Sequence, residues 1–152
     1  MIAPQFIAID ASSWEDNGHP IAIAWSLSDG RIKTTLIQPE DDWHDWDYAL
    51  TDLHGISPDT LYQRGETCWS VIRELEEDLQ ISQVMTDDVE QVECMLDRLY
   101  DACQRESSLE LIRAENGLND LQQMTCDERV HAMLLAWAGE HGSDSFQHSD
   151  HD

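Results

Sequence analysis

The chain opens on an apolar run, Phe6-Ile7-Ala8-Ile9, which stops at Asp10 and passes into Ala11-Ser12-Ser13. Aromatic and β-branched residues in a short run bounded by polar positions predict a buried strand. Pro20-Ile21-Ala22-Ile23-Ala24-Trp25-Ser26-Leu27 predicts a second strand, and Ser28-Asp29-Gly30 is a hairpin signal. Arg31 to Ile37 mixes β-branched and polar residues, as a third strand with one solvated side would. The three make an antiparallel meander. From Gln38 to Leu53 no period survives, and Trp43, Trp46 and Tyr48 are scattered among acids. This stretch reads as a connector fastened to the core by its aromatics.

Helical spacing then takes over. Ser57-Pro58 is an N-cap followed by a first-turn proline, and it predicts a short helix ending near Gly65. Cys68, Ile72, Leu75 and Leu79 form one stripe of a helix over Thr67–Leu79. Ile81 to Thr86 predicts a fourth strand. Val89, Val92, Leu96, Leu99 and Cys103 give a second helical stripe, and Leu109 to Ile112 predicts a fifth strand. Ala114 to Met124 is irregular around Asn116-Gly117. Thr125 with Glu128 is a capping box opening a helix to Ala138. Residues 140–152 read as an acidic, disordered tail behind one domain over residues 1–139. The order of meander, helix, strand, helix, strand, helix predicts an α/β fold with a mixed five-stranded sheet and helices on both faces.

Composition changes the picture in one respect. Apolar residues make up 41% and there are six tryptophans, as in a globular chain of 152 residues. Acids, however, number 32 against eight Lys and Arg, for a formal charge of −24, and Lys33 is the single lysine. A field of that sign repels nucleic acid at long range and suits a basic partner or bound cations. The usual meaning of such charge is a solvated surface with no partner. Cys68, Cys94, Cys103 and Cys126 form no C-x-x-C pair and read as reduced core thiols. No export signal or membrane-length apolar run is visible, so the expected location is cytoplasmic, away from membranes.

Asp10 is the candidate for chemistry. A carboxylate ending an apolar strand is costly unless it is paired, holds a metal, or caps the turn into Ser12 and Ser13.

Four stretches carry a resemblance. Phe6–Trp14 is similar to a motif in which Asp-x-Glu runs into Ala-Ser-Ser. Pro20–Trp25 followed by Asp29-Gly30 resembles the next strand and hairpin. Leu53-His54-Gly55-Ile56-Ser57, with Leu61 and Gly65 after it, resembles a His-Gly-Ile-Ser/Thr segment. Asp127-Glu128-Arg129-Val130-His131-Ala132 resembles an Asp-Ala-Arg-Ala-x-Ala helix start. Together they resemble the DEDD 3′–5′ exonuclease superfamily and its ribonuclease H-like fold, in particular a small stand-alone bacterial branch. The resemblance implies two-metal hydrolysis of phosphodiesters from a nucleic acid 3′ end, with Mg²⁺ or Mn²⁺ held by four carboxylates.

Residue by residue, it implies catalytic roles for Asp10, Glu93, Asp127 and Gln122. Asp10, Asp127 and Glu93 would hold metal, and Ser12, Ser13 and His54 would contact substrate. The chain departs from the pattern at several of these positions. With Ala11-Ser12-Ser13 aligned on Ala-Ser-Ser, Asp10 takes the Glu position and Ala8 the first Asp. The other register puts Asp10 on the first Asp and Ser12 on the Glu. Val92 falls on the second-motif Asp, with Glu93 beside it, and is expected in the core. Asp87 and Asp88 read as helix-capping acids. Gln122 stands at the position of the general-base histidine and cannot take a proton. The expectation is a weakly active or inactive exonuclease relative. The alternatives are a non-catalytic binding protein on that fold, or an acidic nucleic-acid mimic that binds a basic protein.

Overall fold

The structure is a computed structural model. It describes residues 4–13, 15, 17–27, 29–79, 83–107, 109–114 and 124–138. Gln122, the irregular stretch over 115–123, residues 81–82 of the expected fourth strand and the acidic tail lie outside the described residues.

Three strands form an antiparallel meander: β1 (Ile7–Ala11), β2 (Pro20–Ser26) and β3 (Ile32–Leu36), in the order β1-β2-β3. Ile9 lies opposite Ile23, and Ala24 opposite Thr34. A second, parallel sheet pairs β4 (Gln83–Thr86) with β5 (Glu110–Arg113). The expected single five-stranded sheet is therefore present in part, as two hydrogen-bonded groups of strands. They meet at a parallel bridge between Phe6 and Met85, where the Met85 N–H donates to the Gln5 carbonyl at 2.9 Å. That bridge sets β1 between β2 and β4, as expected of a central strand.

The connector holds a helix that its pattern does not announce. α1 (Tyr48–His54) is capped by the Asp47 carboxylate, which accepts from the Ala49 N–H, and ends at Gly55 with φ of 67°. That left-handed conformation favours glycine. α2 (Pro58–Arg64) has Ser57 as its N-cap, accepting from the Thr60 N–H. α3 (Cys68–Asp78) and α4 (Val89–Asp101) fall where the apolar stripes place them, and α5 (Cys126–Trp137) follows the Thr125–Glu128 capping box. Asp88 caps α4 by accepting from the Gln91 N–H at 3.1 Å.

The alternation of β1 divides the core. Ile7, Ile9 and Ala11 face one layer with Val71, Ile72 and Leu75 of α3 and Val92, Leu96 and Leu99 of α4. Phe6 and Ala8 face the other layer, with Ala22 and Ala24 of β2, Leu61 of α2 and Cys126, Val130 and Met133 of α5. Residues two apart on a strand share a face, so Asp10 follows Phe6 and Ala8 toward α5. Val92 is fully buried, as expected.

Candidate functional site

Asp10 stands at the carboxyl end of β1, where the register slips between Asp10 and Ala11. It is buried. Its Oδ2 accepts from the backbone N–H of Cys126 at 2.9 Å. The first N–H groups of a helix lack partners within the helix, and a carboxylate there also meets the positive end of the helix dipole. Asp10 is thus a cap for α5 supplied from another element.

Its Oδ1 meets Arg129 Nη2 at 3.1 Å. The same nitrogen donates to the Ile9 carbonyl. Arg129 Nη1 reaches Asp87 Oδ2, just past β4, at 3.3 Å. The Asp10 and Arg129 side chains are each only 7% exposed, so both partners have left water. Arg129 Nε is buried without a hydrogen-bond partner. Thr86, fully buried, donates its hydroxyl to Asp87 Oδ1 at 3.2 Å. Asp88 is a helix cap as expected, whereas Asp87 is committed to Arg129. Burial and the neighbouring Asp10 push the Cys126 thiol well above the ordinary cysteine range.

Asp127 is partly buried, one residue beyond the Cys126 amide that Asp10 holds. Its Oδ1 accepts from the Thr125 hydroxyl at 2.6 Å. That hydroxyl also lies 2.9 Å from Glu128 Oε1, and having one proton it serves one carboxylate at a time. Asp127 lines a groove of about 570 Å³ between β3 and α5, with Ile32, Thr34, His131 and Leu135. Glu93 is exposed on α4, beside the buried Val92.

Ser12, buried, accepts through its hydroxyl from the His19 N–H at 2.9 Å and donates to Asp45 Oδ2 at 3.0 Å. Ser13 accepts from the Glu15 N–H at 3.2 Å. Both serines thus hold their own loop together. His54 Nδ1 accepts from the Ile56 N–H at 2.9 Å, which puts the proton of the neutral ring on Nε2. The ring stands edge-on to Trp46, 5.9 Å between centroids, and Nε2 is buried without a partner. Burial lowers the His54 pKa, partly offset by the charge of Asp10.

The sequence pattern gave no sign of His19. It is buried, stacks on Trp43 with centroids 5.1 Å apart, and lies 3.1 Å from the Asp45 carbonyl through Nε2. Arg129 was likewise legible only as a letter in a motif. An arginine two residues past Asp127, on the side of α5 shared with Cys126, Val130 and Met133, was the available signal.

No protein-family model and no curated protein matches the sequence. The structure is similar to Exonuclease I from Methylocaldum szegediense, with a TM-score of 0.56 and 15% identity over 76% of this chain and 28% of that one. It is similar to the nuclease domain of 3′hExo, a DEDDh family member, with a TM-score of 0.54 and 15% identity over 68% of this chain and 60% of that one. It is also similar to apo Exonuclease I, with a TM-score of 0.62 and 12% identity over 90% of this chain and 42% of that one. The chain has a DEDD exonuclease-like fold. It spans between 28% and 60% of the lengths of these three proteins, and at such identities the likeness concerns the fold.

The metal pair that the resemblance implies does not fit the described residues of this exonuclease-like fold. Two ions about 4 Å apart need several carboxylates aimed at one point. Both Asp10 oxygens are engaged, one by an amide and one by a guanidinium. Ala8, on the same face two residues earlier, offers no ligand. Among the described residues no group of three or more His, Cys, Asp or Glu side chains could hold a metal ion. Among the same residues no helix is long and apolar enough to cross a membrane.

Proposed function

We propose that the chain is an exonuclease-fold protein with little or no hydrolytic activity, which acts by binding. The observation that supports this reading is the buried Asp10–Arg129 pair. A carboxylate already neutralised by a guanidinium gains little from a divalent ion, and an ion would have to displace a hydrogen-bonded arginine. Loss of a proton acceptor at Gln122 removes roughly another 10² to 10⁴ in rate. The similar Exonuclease I of E. coli has been captured with a dT13 oligonucleotide, so a nucleic acid 3′ end is one ligand to test. The net charge of −24 favours a second reading, in which the partner is a basic protein. Purified chain incubated with 3′-labelled single-stranded DNA or RNA in Mn²⁺ is expected to leave the label intact. Trimming at ordinary enzyme rates that is lost in Asp127→Ala would overturn the reading.

A further inference from the structure

We infer that the outer edge of β3, with the groove between β3 and α5, takes an extended basic peptide of a partner protein as an added strand. The inference rests on the reading in which this fold acts by binding, and it names the surface and the class of partner.

The direction of the hydrogen bonds along β3 follows from its ends. The Leu27 N–H donates to the Arg31 carbonyl at 2.7 Å, and the Ile37 N–H donates to the Ile21 carbonyl at 2.9 Å, so Arg31 and Ile37 face the β2 side. Backbone groups alternate between the two edges of a strand in an antiparallel pair, which turns Ile32, Thr34 and Leu36 outward. Leu36 keeps to that rule, because its carbonyl accepts from the Glu66 N–H on the outer side at 2.8 Å. Glu66 covers that end of the edge. Among the described residues nothing pairs with the outer side of residues 32–34. An edge with open donors and acceptors is a template for another strand. Proline and edge lysines commonly block such pairing. Here β3 has no proline, and Lys33 is turned to the other face of the sheet, where it meets Asp78 at 2.8 Å.

Side chains supply the specificity. Ile32 and Thr34 lie opposite Ser26 and Ala24, so they stand on the α5 face of the sheet and form one wall of the groove of about 570 Å³. Ala132 and Leu135 of α5 stand across from them, and Leu135 is 59% exposed. A residue added opposite Thr34 would place its side chain in this groove, since paired residues share a face. Asp127 and Glu128 also line the groove, and no lysine or arginine does. Open main-chain groups beside a trough for alternate side chains are what strand addition uses. The carboxylates, on a chain of net charge −24, complement lysine or arginine in the incoming strand. The same field repels a phosphate backbone or a second copy of this chain.

The test is fluorescence anisotropy of the full chain at physiological salt, with a labelled, end-blocked peptide of about ten residues that alternates lysine and valine. Saturable binding to one site is expected. Thr34→Pro removes an outward N–H that the fold does not use, so it should leave the urea midpoint near that of wild type and weaken the peptide roughly tenfold or more. Leu135→Lys, on the exposed wall, should weaken it as well by opposing its charge. The same peptide with every amide N-methylated keeps its charges and loses its donors, and it should not bind. That probe leaves the protein unchanged, so it gives the reading even if Thr34→Pro fails to fold. Absence of binding overturns the inference. So does a peptide that either variant binds as wild type does, or that binds equally well when N-methylated, because the acidic surface at large then holds it. Displacement of the peptide by a dT oligonucleotide would assign the edge to nucleic acid, and a wild-type dimer in sedimentation that Thr34→Pro dissolves would assign it to a second copy; each overturns the inference too. The nuclease assay is separate. Trimming by wild-type protein would refute the proposed lack of hydrolysis and leave the peptide titration standing, and a peptide that fails to bind would do the reverse.

Discussion

Replacing Asp10 and Arg129 singly and together measures what their contact contributes. Asp10→Leu leaves a guanidinium that is 7% exposed with Asp87 as its one carboxylate, and it strips the Cys126 N–H of its acceptor. Breaking a buried pair costs about 3–5 kcal/mol, and an orphaned buried donor about 1–3 kcal/mol. Asp87 at 3.3 Å offsets part of the first term, so the expected loss is about 4 kcal/mol. Arg129→Met strands Asp10 and Asp87 and should cost about 3 kcal/mol, because Asp10 keeps the Cys126 amide. In the double variant the Cys126 N–H and Asp87 remain without their partners, and the loss should be about 3 kcal/mol, well short of the sum of the two singles. Urea unfolding followed by tryptophan fluorescence reads all four proteins, with the fully buried Trp25 as an internal reporter. A domain of this size has roughly 8 kcal/mol or more to lose, so each variant should remain folded in water. Singles that cost under about 1 kcal/mol, or losses that add within about 0.5 kcal/mol in the double variant, would refute the claim of a desolvated, coupled pair.

Further outcomes follow from the same geometry. Burial lowers the pKa of His19 below its ordinary 6.5, so the unfolded chain takes up more protons than the folded one in that range. Stability should be complete above about pH 6.5 and decline on acidification below it, and His19→Gln should flatten that slope in urea midpoints measured across the range. A Cβ on Gly65 would fall on the Leu61 carbonyl oxygen and within 2.6 Å of the Gln38 amide, so Gly65→Ala should cost about 1–3 kcal/mol in the same assay, whereas a neutral result would mean the β3–α2 junction yields. Lys33→Ala should cost under about 1 kcal/mol, because Lys33 meets Asp78 and Glu74 at the surface and water screens exposed pairs.

Most of the fold was legible because period and punctuation agreed. The meander, the α3 and α4 stripes, the Ser57 cap and the Thr125–Glu128 box all satisfied local rules that the packed structure keeps. Helix α1 was hidden because Tyr48–His54 shows no apolar stripe, although Asp47 before it and Gly55 after it are its cap and stop. The division of the strands into two groups was hidden for another reason. Among the described residues, hydrogen bonding between the start of β1 and β4 runs through the Phe6–Met85 bridge, and pairing across distant segments leaves no mark in local pattern. Asp10 was visible as an acid out of place on an apolar strand. Its partner was not, because an arginine inside an amphipathic helix looks like an exposed charge until the fold brings it against the strand end.

The position of α5 governs when this chain can become a folded protein during synthesis. The meander lays one apolar face bare, made of Phe6, Ala8, Ile21, Ala22 and Ala24, and the side chains that cover it include Cys126, Val130 and Met133. The Asp10 cap at the end of β1 and the Cys126 amide it serves are 116 residues apart in the chain. A ribosome adds about 5–20 residues each second, so the three strands spend seconds complete but uncovered. They carry exposed apolar surface through that interval, the condition under which partly made chains aggregate. Chains halted before Cys126 should therefore collect as aggregates, while a stop placed after Trp137 should leave the meander covered.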